Sequence, residues 1–220
     1  MILLKRKNLE DIIKNLRKFD TILVARCNGC TSVYGLMNKR EVERFLDTIQ
    51  SKMPKKIIKT ESIPKLCDKN MVKNRLSHAM EEYEAVLSVS CGVGVQTLAE
   101  TFEDIPVFPA NDTMFLGEAD WENSIFREKC VACGDCILDK TGGICPKTRC
   151  PKGLLNGPCG GQYEGKCEVG GYVRECAWIL IWKKLKKIGK TDLLKEFKFP
   201  RDYRKESSPR ELRLAGDVLQ

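Results

Sequence analysis

The sequence has one histidine, His78, and no long hydrophobic run. A single imidazole disfavours catalytic zinc, haem and non-haem iron, because these sites draw on histidine ligands. No segment approaches the ~18 consecutive apolar residues of a membrane-spanning helix. The apolar cluster at residues 1–4 is followed at once by Lys5, so it lacks the roughly 7–15-residue apolar stretch of a secretory signal. We therefore predict a cytoplasmic protein without a membrane span.

Cysteine, in contrast, is abundant: the chain has 12 among 220 residues. In a reducing cytosol thiols stay free of disulfides, so metal ligation becomes the favoured interpretation. Sets that are rich in cysteine and poor in histidine are typical of iron–sulfur clusters or of all-thiolate structural zinc.

The first half of the sequence alternates between strand and helix patterns. Short β-branched runs predict buried strands at residues 21–26, 56–59, 85–90 and 107–108. Apolar residues at helical spacing predict helices at residues 1–18, 41–49, 71–80 and 95–102. This alternation predicts an α/β fold with a small parallel sheet flanked by helices.

The composition changes after residue 110, where Cys, Gly, Pro and Lys become dense and long apolar residues become rare. Such a stretch cannot build an ordinary core, and metal binding can supply folding free energy instead. We therefore predict an α/β domain at residues 1–110, a Cys-rich metal-stabilised module at 111–180, and a basic helix end with an extended tail at 181–220.

Most of the net charge lies at one end of the chain. Residues 181–220 contribute +6 of the total +8. This distribution predicts a basic arm that docks onto an acidic partner surface. A nucleic-acid-binding zinc protein is the alternative, but the basic excess is confined to one segment and no aromatic stacking pattern accompanies it. We therefore expect no nucleic-acid partner.

Four cysteines lie near the predicted carboxyl ends of the first three strands. Cys27 and Cys30 form a C-x2-C turn after the first strand, Cys67 follows the second, and Cys91 follows the third. In a parallel sheet these loops share one edge, so the four thiols can converge on a [4Fe–4S] cluster or another metal centre. Buried or incidental thiols, or a redox dithiol, are the alternatives.

The next cysteines, Cys130, Cys133 and Cys136, form a C-x2-C-x2-C run, which lets three thiolates reach three corners of a cubane. We assign Cys145 as the remote fourth ligand of this [4Fe–4S] site. Cys150 is the alternative, because it also precedes a proline. Asp135, inside the run, is expected to be a solvated carboxylate.

The remaining quartet holds either zinc or a further cluster. It consists of Cys150, Cys159, Cys167 and Cys176, with glycine-rich turns around two of its members. These gaps lack the short C-x2-C clip that is common to clusters and zinc ribbons, so the sequence leaves both metals open.

Several of these motifs together resemble the MetV-type C-terminal family of methylenetetrahydrofolate reductase. The motifs are CVACGDC (130–136), TGGICP (141–146), RCPKGLLNGPCGG (149–161), GKCEV (165–169), CAWILIW (176–182), CNGC (27–30) and SCGVGVQT (90–97).

The resemblance implies a metal-binding accessory subunit, not an enzyme by itself. Its partner would be a flavin-bearing, MetF-type reductase subunit, so flavin is expected on that partner only. The implied role is relaying electrons to or from the flavin in one-carbon metabolism, with ferredoxin or a hydride-handling complex as a further partner. Alternatively, the chain is a zinc-stabilised scaffold for the reductase without electron transfer. The pathway carrier, tetrahydrofolate or tetrahydromethanopterin, stays open.

Overall fold

The computed structural model describes residues 1–30, 32, 38–120, 122–123, 125–206 and 209–210. The chain divides into two compact units, Met1–Phe126 and Arg127–Gln220. The last ten residues of the predicted basic tail, 211–220, lie outside the described residues.

Unit 1 is built on a four-stranded parallel sheet in the order β3-β2-β4-β5. Its strands are β2 (Thr21–Cys27), β3 (Ile57–Ile63), β4 (Ala85–Val89) and β5 (Val107–Pro109). Its helices are α1 (Leu9–Leu16), α2 (Lys39–Lys52), α3 (Lys69–Met80) and α4 (Gly92–Thr101). The predicted α/β fold with a flanked parallel sheet is confirmed.

Alternation along the central strands builds a core on each face of the sheet. Ile22 and Val24 of β2 pack with residues of α1 and α2, whereas Leu23 and Ala25 pack with residues of α3 and α4. All residues of β4 are buried, as expected of a central parallel strand covered on both faces. Unit 1 is therefore held together by an ordinary two-sided apolar core.

The N-terminus corrects the predicted helix at residues 1–18. Residues 2–6 form strand β1 (Ile2–Arg6), which pairs antiparallel with β6 (Asn111–Asp120), and α1 begins only at Leu9. The Asn8 side chain accepts a hydrogen bond from the Glu10 backbone N–H and caps α1. Strand β6 also pairs with β7 (Ile125–Cys130) in a three-stranded sheet.

The division between the units lies after Phe126, later than the sequence boundary at residue 110. The reason is the pairing of β6 with β1, which ties the residues that follow 110 to the N-terminal strand.

The described residues of unit 2 form two α-helices, α5 (Pro146–Arg149) and α6 (Ala177–Lys187), and 3-10 turns at Thr191–Lys195 and Tyr203–Lys205. Its small apolar core consists of Trp178, Ile181 and Leu185 on α6, with partly buried neighbours that include Leu154. The Trp178 indole N–H donates to the Leu154 carbonyl at 3.0 Å. The unit thus has an apolar core, but a much smaller one than unit 1.

Within the part of the chain that the structure describes, no helix combines the length and the apolar character needed to cross a membrane.

Candidate metal centres

The four N-terminal cysteines lie at the carboxyl edge of the parallel sheet. Cys27 is the last residue of β2, and Cys91 stands between β4 and α4 as the N-terminal cap of that helix. Cys30 and Cys67 lie in the loops after β2 and β3. Cys27 and Cys91 are buried, whereas Cys30 and Cys67 are exposed.

The Cys67 thiol lies in the electrostatic field of the other three. Burial and the neighbouring charge of Cys27, with smaller contributions from Cys91 and Cys30, raise the pKa of the Cys67 thiol. The Gly29 backbone N–H donates to Cys27 Sγ at 3.4 Å. A positive ion at this edge would favour the Cys67 thiolate, which is the form that binds metal.

In unit 2, one cavity is lined by Cys130, Cys133, Cys136 and Cys145 and has a volume of about 250 Å³. Cys145 lines this cavity, and Cys150 does not. The helix α5 begins directly after Cys145, and Thr148 Oγ1 on that helix lies 3.5 Å from the carbonyl of Lys129, next to Cys130.

The backbone of the C-x2-C-x2-C loop turns its amides toward sulfur. Ala132 and Gly134 adopt positive φ angles of 50° and 70°. For a residue with a Cβ this conformation is uncommon, and such outliers concentrate at functional sites. The Ala132 N–H donates to Cys130 Sγ at 3.3 Å. Hydrogen bonds of this kind stabilise thiolate ligands of iron–sulfur clusters.

Residues 198–206, here called the clasp, fold back over this loop. Lys198 Nζ lies 3.1 Å from Asp135 Oδ1, and Arg201 Nη2 donates to the Cys133 carbonyl at 3.2 Å. Arg201 also lies 2.9 Å from Glu206, which in turn pairs with Lys147 on α5. The expectations of a solvated Asp135 and an extended tail over these residues are therefore wrong, because the charges of the clasp are used within unit 2.

The Arg201 guanidinium is the most deeply buried charge at this cavity. Only 4% of its side chain is exposed, it lines the cavity, and its Nε finds no hydrogen-bond partner. Burial alone would raise the pKa of the Cys133 thiol. Hydrogen bonds from the Asp135 backbone and from Arg201, together with the charges of Arg201 and Lys147, outweigh that effect and lower the pKa.

A second, separate cavity is lined by the other four cysteines, Cys150, Cys159, Cys167 and Cys176, and has a volume of about 20 Å³. A short antiparallel pairing places two of these residues. The Cys167 N–H donates to the Arg174 carbonyl at 2.9 Å, and the Cys176 N–H donates to the Gly165 carbonyl at 2.8 Å.

An ion pair borders the second cavity. Cys159 Sγ lies 3.7 Å from Glu168 Oε1, and Lys152 pairs with the same carboxylate. The hydrogen bond and the positive charge of Lys152 lower the pKa of Glu168. Sequence reasoning missed Lys152, Glu168 and Arg201, because no local pattern distinguishes them from other surface charges.

Among the described residues, no three histidine, cysteine or acidic side chains are drawn together closely enough to hold a metal ion as they stand. The metal-stabilised module therefore stays a prediction. The structure shows instead that each cysteine quartet of unit 2 lines its own cavity. Arg201 also lines the first cavity, and its buried Nε has no hydrogen-bond acceptor. A sulfur-rich anionic group fits this donor set.

Comparison with known proteins gives one match. Residues 108–204 match the family model described as methylene-tetrahydrofolate reductase C terminal. Neither the search of curated proteins nor the search of solved structures finds a match. The matched segment contains all eight cysteines of the two unit 2 quartets. Over residues 108–204, the chain is thus similar to the methylene-tetrahydrofolate reductase C-terminal family, the family that its motifs resemble.

Proposed function

We propose that the chain is an accessory iron–sulfur subunit of a methylenetetrahydrofolate reductase complex. In this role it relays electrons to or from a flavin-bearing reductase subunit. The family match supports the association with the reductase. The observation that carries the electron-transfer role is the separation of the unit 2 cysteines into two quartets, each lining its own cavity.

The two cavities differ in size in a way that favours different occupants. About 250 Å³ has room for a group of several atoms, whereas about 20 Å³ is close to the space of one water-sized sphere, roughly 10–15 Å³. We therefore assign a [4Fe–4S] cluster to Cys130, Cys133, Cys136 and Cys145. We assign a single zinc ion to Cys150, Cys159, Cys167 and Cys176. For the sheet-edge quartet of unit 1 we propose a second cluster.

The chemistry of the first site needs no acid–base group on this chain. A bound cluster supplies one-electron transfer. The four thiolates would hold it, and the Ala132 N–H and the Arg201 guanidinium would stabilise negative charge on sulfur. These features are the means by which a protein sets the reduction potential of a cluster.

The partner surface is proposed on the apolar side of unit 2. Because the clasp uses its cations internally, the basic arm is a weaker docking element than its charge suggests. A pocket of about 480 Å³ shares Ile137, Leu155 and Lys198 with the first cavity and is also lined by Trp178 and Trp182. An exposed apolar surface next to a redox centre suits a subunit that accepts electrons at close range.

The proposal is tested by metal and sulfide analysis of the full chain, purified without oxygen. We expect iron and acid-labile sulfide, zinc at about one ion per chain, and a visible absorption that dithionite bleaches. The Cys133→Ser variant should lose the iron of the unit 2 cluster, about half of the total, and retain zinc, whereas Cys159→Ser should lose zinc and retain all of its iron.

A colourless protein that contains only zinc would overturn the electron-transfer role. It would support the alternative, a zinc-stabilised scaffold that fixes the reductase subunit. Co-purification with a flavin-containing protein tests whether the chain binds a reductase subunit. Its outcome does not depend on which metal the chain holds.

A further inference from the structure

The buried guanidinium of Arg201 has a specific place beside the first quartet. We propose that Arg201 is a positioning residue that donates a hydrogen bond to the Cys133 sulfur and raises the reduction potential of the cluster held there. This inference rests on the proposed function, because it presupposes a cluster on Cys130, Cys133, Cys136 and Cys145.

Two contacts fix the position of the guanidinium. Nη2 donates to the Cys133 carbonyl at 3.2 Å and lies 2.9 Å from Glu206 Oε1. Nε lies 3.6 Å from Asp135 Oδ2 without forming a hydrogen bond. These contacts hold the guanidinium beside the first cavity, which Arg201 lines, and Nε, one of its five donors, is left without an acceptor.

A buried donor without an acceptor is costly, so a native fold retains one where a ligand satisfies it. The group that fits here is a sulfur anion. The Arg201 side chain lines the cavity together with four cysteines, and its Nη2 lies 3.2 Å from the Cys133 carbonyl.

The carboxylates around Arg201 do not cancel its charge. The network that joins the clasp to the loop contains three cations, Lys147, Lys198 and Arg201, against two carboxylates, Asp135 and Glu206. One positive charge is left over, and Arg201 is the most deeply buried member of the network.

Reduction of a cluster adds one electron and no proton, so the group gains one negative charge. A fixed cation next to the sulfur stabilises the reduced form more than the oxidised form. Because 96% of the Arg201 side chain is shielded from water, this interaction is screened less than that of an exposed lysine.

The test is a dithionite titration of the full chain with redox mediators, followed by electron paramagnetic resonance. Cys30→Ser and Cys67→Ser remove the signal of the unit 1 quartet through its two exposed thiols. In this background Arg201→Met should make the equilibrium constant for reduction at least tenfold less favourable, a shift of about 59 mV for a one-electron couple. Arg201→Lys keeps the positive charge, so its reduction potential should fall by less than that of Arg201→Met.

Lys140→Met is the matched control. It removes one positive charge from unit 2, but Lys140 pairs with Glu196 outside the first cavity. For Lys140→Met we expect less than a threefold change in the equilibrium constant for reduction. An Arg201→Met effect equal to that of Lys140→Met would overturn the inference and leave the proposed function intact.

Glu206→Gln gives a prediction of opposite sign, which covers the case in which Arg201→Met fails to keep its iron. Removing this carboxylate leaves Arg201 and Lys147 more positive, so the potential should rise. An unchanged or lower potential would contradict the proposed role of Arg201. A wild-type chain with no reducible cluster would overturn both the proposed function and this inference.

Discussion

The two units solve the problem of folding in different ways. Unit 1 buries apolar side chains on both faces of a parallel sheet, and its cysteines stand at the sheet edge as additions to a finished core. Among the described residues of unit 2, the apolar core cluster is small, with Trp178, Ile181 and Leu185, and cysteines line two cavities. Unit 1 therefore has a core that does not depend on its cysteines, whereas we expect the fold of unit 2 to depend on what its cysteines bind.

Metal removal should give the largest difference between the two units. In the full chain stripped of metal, backbone amides of residues 130–176 should lose protection from hydrogen exchange, whereas those of β2 and β4 should keep theirs. The reason is that binding free energy, on the order of 10 kcal/mol for a structural zinc site, becomes folding free energy only in unit 2. Equal loss of protection in both units would refute the comparison.

A core truncation in each unit should have different consequences for metal. Leu185→Ala and Leu87→Ala each remove a fully buried side chain and should each cost about 2–5 kcal/mol. Leu185→Ala should also cause loss of zinc or iron from unit 2, because few other apolar contacts hold that unit.

Leu87→Ala should lower the unfolding temperature of unit 1 and leave the metals of unit 2 in place. Calorimetry together with metal analysis reads both effects. Metal loss from unit 2 on Leu87→Ala would show that the units are not independent.

Close packing of α4 under the sheet-edge quartet gives a smaller effect. A Cβ at Gly94 would lie 2.7 Å from Ser90 Oγ and 2.9 Å from Leu66 Cβ, so Gly94→Ala should cost about 1–3 kcal/mol and disturb Cys91. At Gly92 the nearest contact would be an ordinary 3.5 Å, so Gly92→Ala is the matched control. Denaturant unfolding of both variants measures the difference, and equal midpoints would contradict the packing argument.

The smallest expected effect is a pH dependence in unit 1. The hydrogen bond and the charge of Lys52 lower the pKa of the exposed Glu10 carboxylate. A lowered pKa contributes stability that is present above the ordinary value near 4.3 and is lost as pH falls through the lowered value.

Glu10→Gln should therefore melt slightly below the wild type at pH 7 and together with it at pH 3. Added salt should reduce the difference at pH 7. A difference that grows toward pH 3 would have the wrong sign for this ion pair.

The parallel sheet could be predicted because its signals are local: β-branched runs for β2 and β4, and helical spacing for α2 and α3. Strands β1 and β6 were missed, because β1 is five residues long and β6 is mostly partly exposed, so neither has a strong pattern. Their pairing joins residues more than 100 positions apart, which no local periodicity reveals.

The site shows the same limit. The cysteines were found from their spacing, but the clasp was not, because Lys198 and Arg201 look like members of a solvated basic tail. Their ion pairs with Asp135 span more than 60 residues of sequence. The sequence predicted which cysteines line each cavity of unit 2, but it did not reveal the charges that the fold places around them.

The sequence separation of the ligands also sets an order in time. The unit 2 cysteines fall within residues 130–176, so short loops bring them together quickly. The unit 1 quartet spans residues 27–91 and takes shape only after β2, β3 and β4 have paired, which is a slower, non-local event. We therefore expect unit 2, which is synthesised after unit 1, to be the first of the two units that can bind its metal during folding of the full chain.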